Sequence, residues 1–172
     1  EKTLENARNF FGVLTVVEET PEDTTLHKRL MQHGTTYHGL QFLDAAKRSL
    51  PTAYYSPNSG IGLVLSHRPD TRPLRVGVVG LGVGTIAAYG QAGDTLCFYE
   101  INPEVERLAR KYFTYLDDSA ATVEVVLGDA RLSLEYQEPQ GYDVLALDAF
   151  SSDAVPVHLL TAEAFEIYLR HL

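Results

Sequence analysis

A single cysteine, Cys97, stands among the 172 residues, so neither an internal disulfide nor a cysteine-based zinc site can form within the chain. It sits mid-strand and reads as a small buried hydrophobe. Basic side chains are the minority: 14 Lys and Arg against 23 Asp and Glu give a formal net charge of −9. That balance argues against a nucleic-acid partner, which needs a basic face, and suits a cationic small molecule. No apolar run approaches the roughly 18–20 residues that span a bilayer, and no signal peptide is visible. The six histidines, His27, His33, His38, His67, His158 and His171, are scattered, with no carboxylate or cysteine partner at ligand spacing. No metal is therefore expected.

What is present is enough for a core. Hydrophobic residues make up 45% of the chain and charged residues 22%, the composition of one ordinary domain, or of one domain with a small appendage. The central stretch is LRVGVVGLGVG, residues 74–84. Residues 75–79 are mostly apolar, as in a strand buried on both faces of a parallel sheet. Gly80, Gly82 and Gly84 follow, and a helix is predicted to begin at Thr85. A strand that ends in glycines brings backbone N–H groups close to a ligand. A dinucleotide fingerprint requires G-x-G-x-x-G, and Thr85 occupies the third glycine's place. The G-x-G-x-G spacing suits a nucleoside with an amino-acid-like or aminopropyl tail, as in S-adenosylmethionine-type ligands. A plain tight turn remains the alternative.

Before this stretch, residues 8–18, 26–31 and 37–43 read as three strands, with a hairpin turn at His33-Gly34. Such a small antiparallel sheet must pack on something larger. Ser56-Pro57 is expected to cap a helix through Ile61, Leu63, Val64 and Leu65. The polar, proline-bearing loop 67–73 sets the expected boundary between an N-terminal β region with its linking helix, 1–66, and a nucleoside-binding domain, 67–172. From Leu74 onward, strands at 75–79, 95–100, 123–127 and 142–147 alternate with helices, the mark of a parallel α/β sheet. Helices are expected after Asn102-Pro103, after Asp129, and over roughly 161–171. The chain begins with Glu1 rather than Met and stops at Leu172, which raises the expectation of a domain cut from a longer protein.

In open α/β sheets the ligand sits beyond the carboxyl ends of the strands. The first strand delivers the glycine turn there, and the second delivers Glu100, 20 residues after Gly80. That is the distance at which an acid meets a ribose diol. The third delivers Asp129, which can cap its helix, accept a bond from an adenine amino group, or do both. The fourth delivers Asp148, with Asp153 in the loop beyond. Two carboxylates at that point would attract a cationic amine, and one could take its proton as it attacks.

With GLGVG, YEINPEV, GDAR and LDAFSSDAVPVHLLT in this order, the chain resembles the spermidine/spermine synthases, the polyamine aminopropyltransferases. It looks closest to a divergent branch joined to membrane-spanning segments. The resemblance implies a Rossmann-like, S-adenosylmethionine-methyltransferase-type parallel sheet, C-terminally incomplete here, preceded by the small antiparallel β region. It also implies decarboxylated S-adenosylmethionine as donor. Gly80, Gly82 and Gly84 would line that site, Glu100 would bind the ribose, and Asp129 with Ala130 the adenine. Asp148 falls where the family keeps its proton acceptor, Asp153 resembles the acid that holds the amine, and Tyr55 lies about where a substrate-binding tyrosine is kept. The implied partner is a polyamine such as putrescine, the implied setting cytoplasmic, and a homodimer and a joined membrane domain belong to the same expectation. Val83 stands where the family carries an acid for the donor's amino group. An S-adenosylmethionine-dependent methyltransferase and a non-catalytic nucleoside-binding domain are therefore the alternatives.

Overall fold

The computed structural model describes residues 1–34, 36–68, 72–150 and 155–172. The chain opens on an antiparallel sheet of β1 (Lys2–Asn9), β2 (Gly12–Glu19), β3 (Lys28–His33) and β4 (Thr36–Phe42), in that spatial order. The single strand expected over 8–18 is corrected: Arg8 and Asn9 close β1, and Phe10 and Phe11 form the turn into β2. Asn9 Oδ1 accepts the Phe11 N–H at 2.9 Å, and Gly12 leaves the turn at φ 124°. Leu26 belongs to a short 3-10 turn, Thr24–Leu26, started by the Asp23 side chain on the Thr25 N–H, so β3 begins later than expected.

One face of this sheet is apolar. Leu14, Val16 and Met31 are buried in the same cluster as Val78, Val83, Phe98 and Leu108 of the following α/β region. The antiparallel sheet therefore has no separate core, as its size requires. Its outer edge is tied by charge: Glu5 of β1 accepts from Arg107 and Lys111, each at 2.7 Å, and from the Tyr112 hydroxyl.

Helix α1 (Gly60–Ser66) starts at Ser59, whose hydroxyl oxygen accepts the Gly62 N–H at 3.1 Å. The expected Ser56-Pro57 cap is thus corrected. Those residues make the preceding turn, with the Ser59 N–H donating to Ser56 O, and they press on Gly62, where a Cβ would lie 2.1 Å from that same carbonyl.

The second sheet is wholly parallel, in the order β7-β6-β5-β8: β5 (Arg75–Val79), β6 (Thr95–Glu100), β7 (Thr122–Leu127) and β8 (Val144–Leu147). This is the expected Rossmann-like arrangement, with β5 buried from Val76 to Val79. The helix expected after the glycines is only a 3-10 segment, Thr85–Tyr89, bounded by Gly84 and Gly90. Helix α2 (Pro103–Tyr112) carries the Asn102 cap and buries Val105, Leu108 and Ala109, and α3 (Tyr115–Asp118) follows it. Helix α4 (Ala130–Tyr136) is capped by Asp129 and α5 (Ala162–Arg170) by Thr161. His171 locks the end of α5: its Nε2 lies 2.7 Å from Leu134 O, and its Nδ1 accepts the Gln140 N–H. At the opposite end of the sheet, Arg68 pairs with buried Asp94 at 2.6 Å, and Asp94 also accepts the Leu74 and Gln91 N–H groups.

Candidate functional site

A cavity of about 470 Å³ lies beyond the carboxyl ends of the parallel strands, with β4 and the β1–β2 turn forming its far wall. Small-molecule sites run from about 300 to 1,000 Å³. Of the residues singled out in the sequence, Gly80, Gly82, Glu100, Asp129, Ala130, Asp148 and Tyr55 line it. Asp153 lies outside the described residues.

The glycine turn is shaped by its neighbours on both sides. Gly80 has φ 98°, and a Cβ there would stand 2.5 Å from Asp148 O at the end of β8. Gly82 has φ 56°, and its Cβ would stand 2.6 Å from His38 O in β4. The turn is thus held between the two sheets with room for backbone alone. Gly84 does not line the cavity: it starts the 3-10 segment at φ 82° and packs on Leu116. Val83 is buried in the core against Gly39, also away from the cavity.

Glu100 is 8% exposed, and its carboxylate is fixed by two backbone donors, Leu81 N–H on Oε2 at 3.1 Å and Asn102 N–H on Oε1 at 2.8 Å. Burial pushes its pKa up against the pull of those N–H groups. Each oxygen keeps a lone pair for a further donor such as a ribose hydroxyl. Asp129 is also doubly engaged: Oδ1 caps α4 through the Leu132 N–H at 2.9 Å, and Oδ2 lies 2.8 Å from His158 Nε2. His158 is held in turn by Arg131, which donates to its carbonyl at 3.0 Å.

Asp148 differs from the other two. It is half-buried, and its carboxylate accepts a hydrogen bond from the Tyr55 hydroxyl. Burial pushes the Asp148 pKa up, and the Tyr55 bond opposes that. Tyr55 ends a 3-10 turn, Ala53–Tyr55, and its carbonyl accepts from Tyr89. Its phenol is pushed above the ordinary range, first by burial and then by the Asp148 charge. A carboxylate with a raised pKa and one neutral partner is chemically suited to accept a proton.

Sequence reasoning passed over the far wall. Phe11, Tyr37, His33 and His38 line the cavity. The His33 and His38 rings stack with centroids 5.6 Å apart, and burial, with the His33 charge adding to it, lowers His38 to about 4. The alternation that marked β4 as a strand was the available signal, but it does not say what either face meets.

The parallel sheet, with a glycine turn and three acids at its strand ends, is a Rossmann-like domain. No family model matches the chain. It is 34% identical over 107 residues to a polyamine aminopropyltransferase of Vibrio vulnificus, a match covering 59% of this chain and 34% of that protein. It is 32% identical over 87 residues to an N-terminal histidine N-methyltransferase of Emericella nidulans, covering 50% of this chain and 16% of that protein. In structure it is similar to a probable spermidine synthase from Corynebacterium glutamicum, with a TM-score of 0.71 and 23% identity, over 99% of this chain and 60% of that one. The chain therefore resembles the spermidine/spermine synthases in sequence and shares their fold. It spans about a third of the length of the aminopropyltransferase it matches. Among the described residues, no helix is long and apolar enough to cross a membrane, and no group of three or more His, Cys, Asp or Glu could hold a metal ion.

Proposed function

We propose that the cavity binds decarboxylated S-adenosylmethionine and transfers its aminopropyl group to a primary amine, with a polyamine such as putrescine as the first acceptor to test. The observation that carries this reading is the half-buried Asp148 carboxylate, bonded to Tyr55, in one cavity with the glycine turn and Glu100. In this reading the backbone of Gly80 and Gly82 cradles the donor, while Gly84 shapes the turn behind them. Glu100 takes the ribose diol, and Asp129 with Ala130 meets the adenine. Asp153 and Tyr55 are the residues assigned to the acceptor amine. The amine nitrogen's lone pair forms a bond to the propyl carbon next to the sulfonium. The carbon–sulfur bond breaks with its electrons going to sulfur, which releases methylthioadenosine. The amine's proton passes to Asp148 and from there to water. A protonated amine cannot attack, so Asp148 serves twice, attracting the cation and accepting its proton. The sulfonium is already an activated leaving group, so positioning is the main requirement. A homodimer, a cytoplasmic setting and a joined membrane domain belong to the same proposal.

Val83 supports a second reading. Packed against Gly39 in the core, it offers nothing to the donor's amino group, and one matched relative is a methyltransferase. An ordinary S-adenosylmethionine donor with methyl transfer is the alternative. Incubating the protein with amines and each donor in turn separates the two. Methylthioadenosine formed from the decarboxylated donor supports aminopropyl transfer, and S-adenosylhomocysteine formed from the ordinary donor supports methylation.

A further inference from the structure

Capping α4 needs only one oxygen of Asp129, the Oδ1 that accepts the Leu132 N–H. Oδ2 is a second acceptor, 2.8 Å from His158 Nε2 and joined to it across 29 residues of sequence. An ionised carboxylate only accepts, so Nε2 is the ring nitrogen that carries the proton, and Oδ2 keeps a lone pair for one more donor. Asp129 and His158 both line the cavity.

His158 reaches Asp129 from a braced position. It is the middle residue of a 3-10 turn, Val157–Leu159, whose Leu159 is buried in one cluster with Ala164, Ile167 and Tyr168 of α5. The Tyr168 hydroxyl donates to Leu159 O at 3.1 Å. From α4, Arg131 donates to His158 O at 3.0 Å and to Thr161 Oγ1 at 3.4 Å. The turn is thus tied to both helices, while the imidazole it presents stays 48% exposed. A pair that exposed contributes little to folding. What it does contribute is orientation. The last bond of an aspartate side chain rotates in broad wells, and His158 fixes the oxygen that the helix cap leaves free. An acceptor set before the ligand arrives loses little freedom when it binds.

We infer that His158 is a positioning residue for nucleobase recognition: it sets Asp129 Oδ2 to accept the exocyclic amino group of a 6-aminopurine. The inference rests on the donor reading above, which gives Asp129 the adenine, and adds the residue that makes Asp129 selective. A purine without the 6-amino group enters the same place but leaves a lone pair of Oδ2 dehydrated and unpaired, at a cost in affinity.

The test is calorimetric titration with methylthioadenosine and with its counterpart bearing hydrogen in place of the 6-amino group. The proteins are the unmodified chain, His158→Ala and His158→Gln. The unmodified protein is expected to prefer methylthioadenosine by about tenfold or more, the worth of a hydrogen bond to a charged acceptor. In His158→Ala the preference should fall to about threefold or less, through weaker binding of methylthioadenosine. In His158→Gln it should return, because the glutamine amide nitrogen stands as many bonds from Cα as Nε2 and donates to the same oxygen. Where the alanine variant does not fold, His158→Asn takes its place, since its amide nitrogen stops one bond short, and the same loss is expected. No preference in the unmodified protein overturns the inference. So does a preference that survives His158→Ala, one that glutamine fails to restore, or an equal weakening of both nucleosides, which would make His158 a structural support. Each of these leaves the donor reading standing. Methylthioadenosine failing to bind the unmodified protein overturns the donor reading and the inference with it.

Discussion

The parallel sheet meets the cavity with the ends of its strands, and the antiparallel sheet meets it with a face. Strands β5 and β6 are buried along most of their length, and the edge strand β8 is half-buried. What they offer a ligand is the residue that follows each strand: Gly80, Asp148, and the buried Glu100 that closes β6. Strand β4 offers side chains from its middle, Tyr37 and His38, because one surface of its sheet turns toward the cavity. Charge collects at the strand ends and is nearly absent from the face. The difference separates two tasks: the ends carry the chemistry, and the face selects what approaches it.

Four substitutions would break or sharpen that division, taken from the largest expected effect to the smallest. Asp148→Asn removes the proton acceptor while keeping the shape, and transfer is expected to fall by about 10²–10⁴-fold. Methylthioadenosine affinity should stay within a few-fold, so a parallel loss of nucleoside binding would show that this strand end is structural. Gly82→Ala strikes the joint between the sheets: at φ 56° its Cβ would stand 2.6 Å from His38 O. Roughly 2 kcal/mol of stability should be lost in denaturant titration, and unchanged stability would mean that the sheets are not held at this turn.

Tyr55→Phe removes the hydrogen bond that holds the Asp148 pKa down. Activity needs the ionised carboxylate, so it rises with pH through the Asp148 pKa. That limb already lies above the ordinary aspartate pKa, and in the variant it should move higher still, with the rate loss concentrated on the acid side of the limb. An unmoved limb would separate Tyr55 from Asp148. The smallest effect is expected at Glu5→Gln, on the outer edge of the antiparallel sheet. The Lys111 and Arg107 contacts, with Tyr112 adding to them, lower Glu5 to about 2 from 4.5. Its stabilising contribution is therefore full above about pH 4.5 and lost as pH falls toward 2. Melting temperatures of the two proteins should differ modestly at neutral pH and converge through that window.

The same division explains what could be read from the sequence. Acids at strand ends are ordered along the chain, so Glu100, Asp129 and Asp148 could be placed at one rim before any coordinates. Tyr37 and His38 were legible as strand residues but not as cavity wall, because a period of two gives two faces and does not say what each meets. Strand β1, KTLENARN, escaped notice because it buries only Ala7 and breaks register between Thr3 and Glu5. It exists because β2 and the α2 charges hold it. Gly84 looked like a third cradle residue, and only the approach of Leu116 shows that it serves packing. Such contacts join residues far apart in sequence, and no local pattern encodes them.

The reading rests on a nucleoside bound at the strand ends, and the most direct measurement is calorimetric titration with methylthioadenosine of the unmodified protein and of Glu100→Gln. One site per chain is expected, with affinity falling about tenfold or more in the variant as a charged acceptor of the ribose hydroxyls is lost. No binding, or binding indifferent to Glu100, would contradict it.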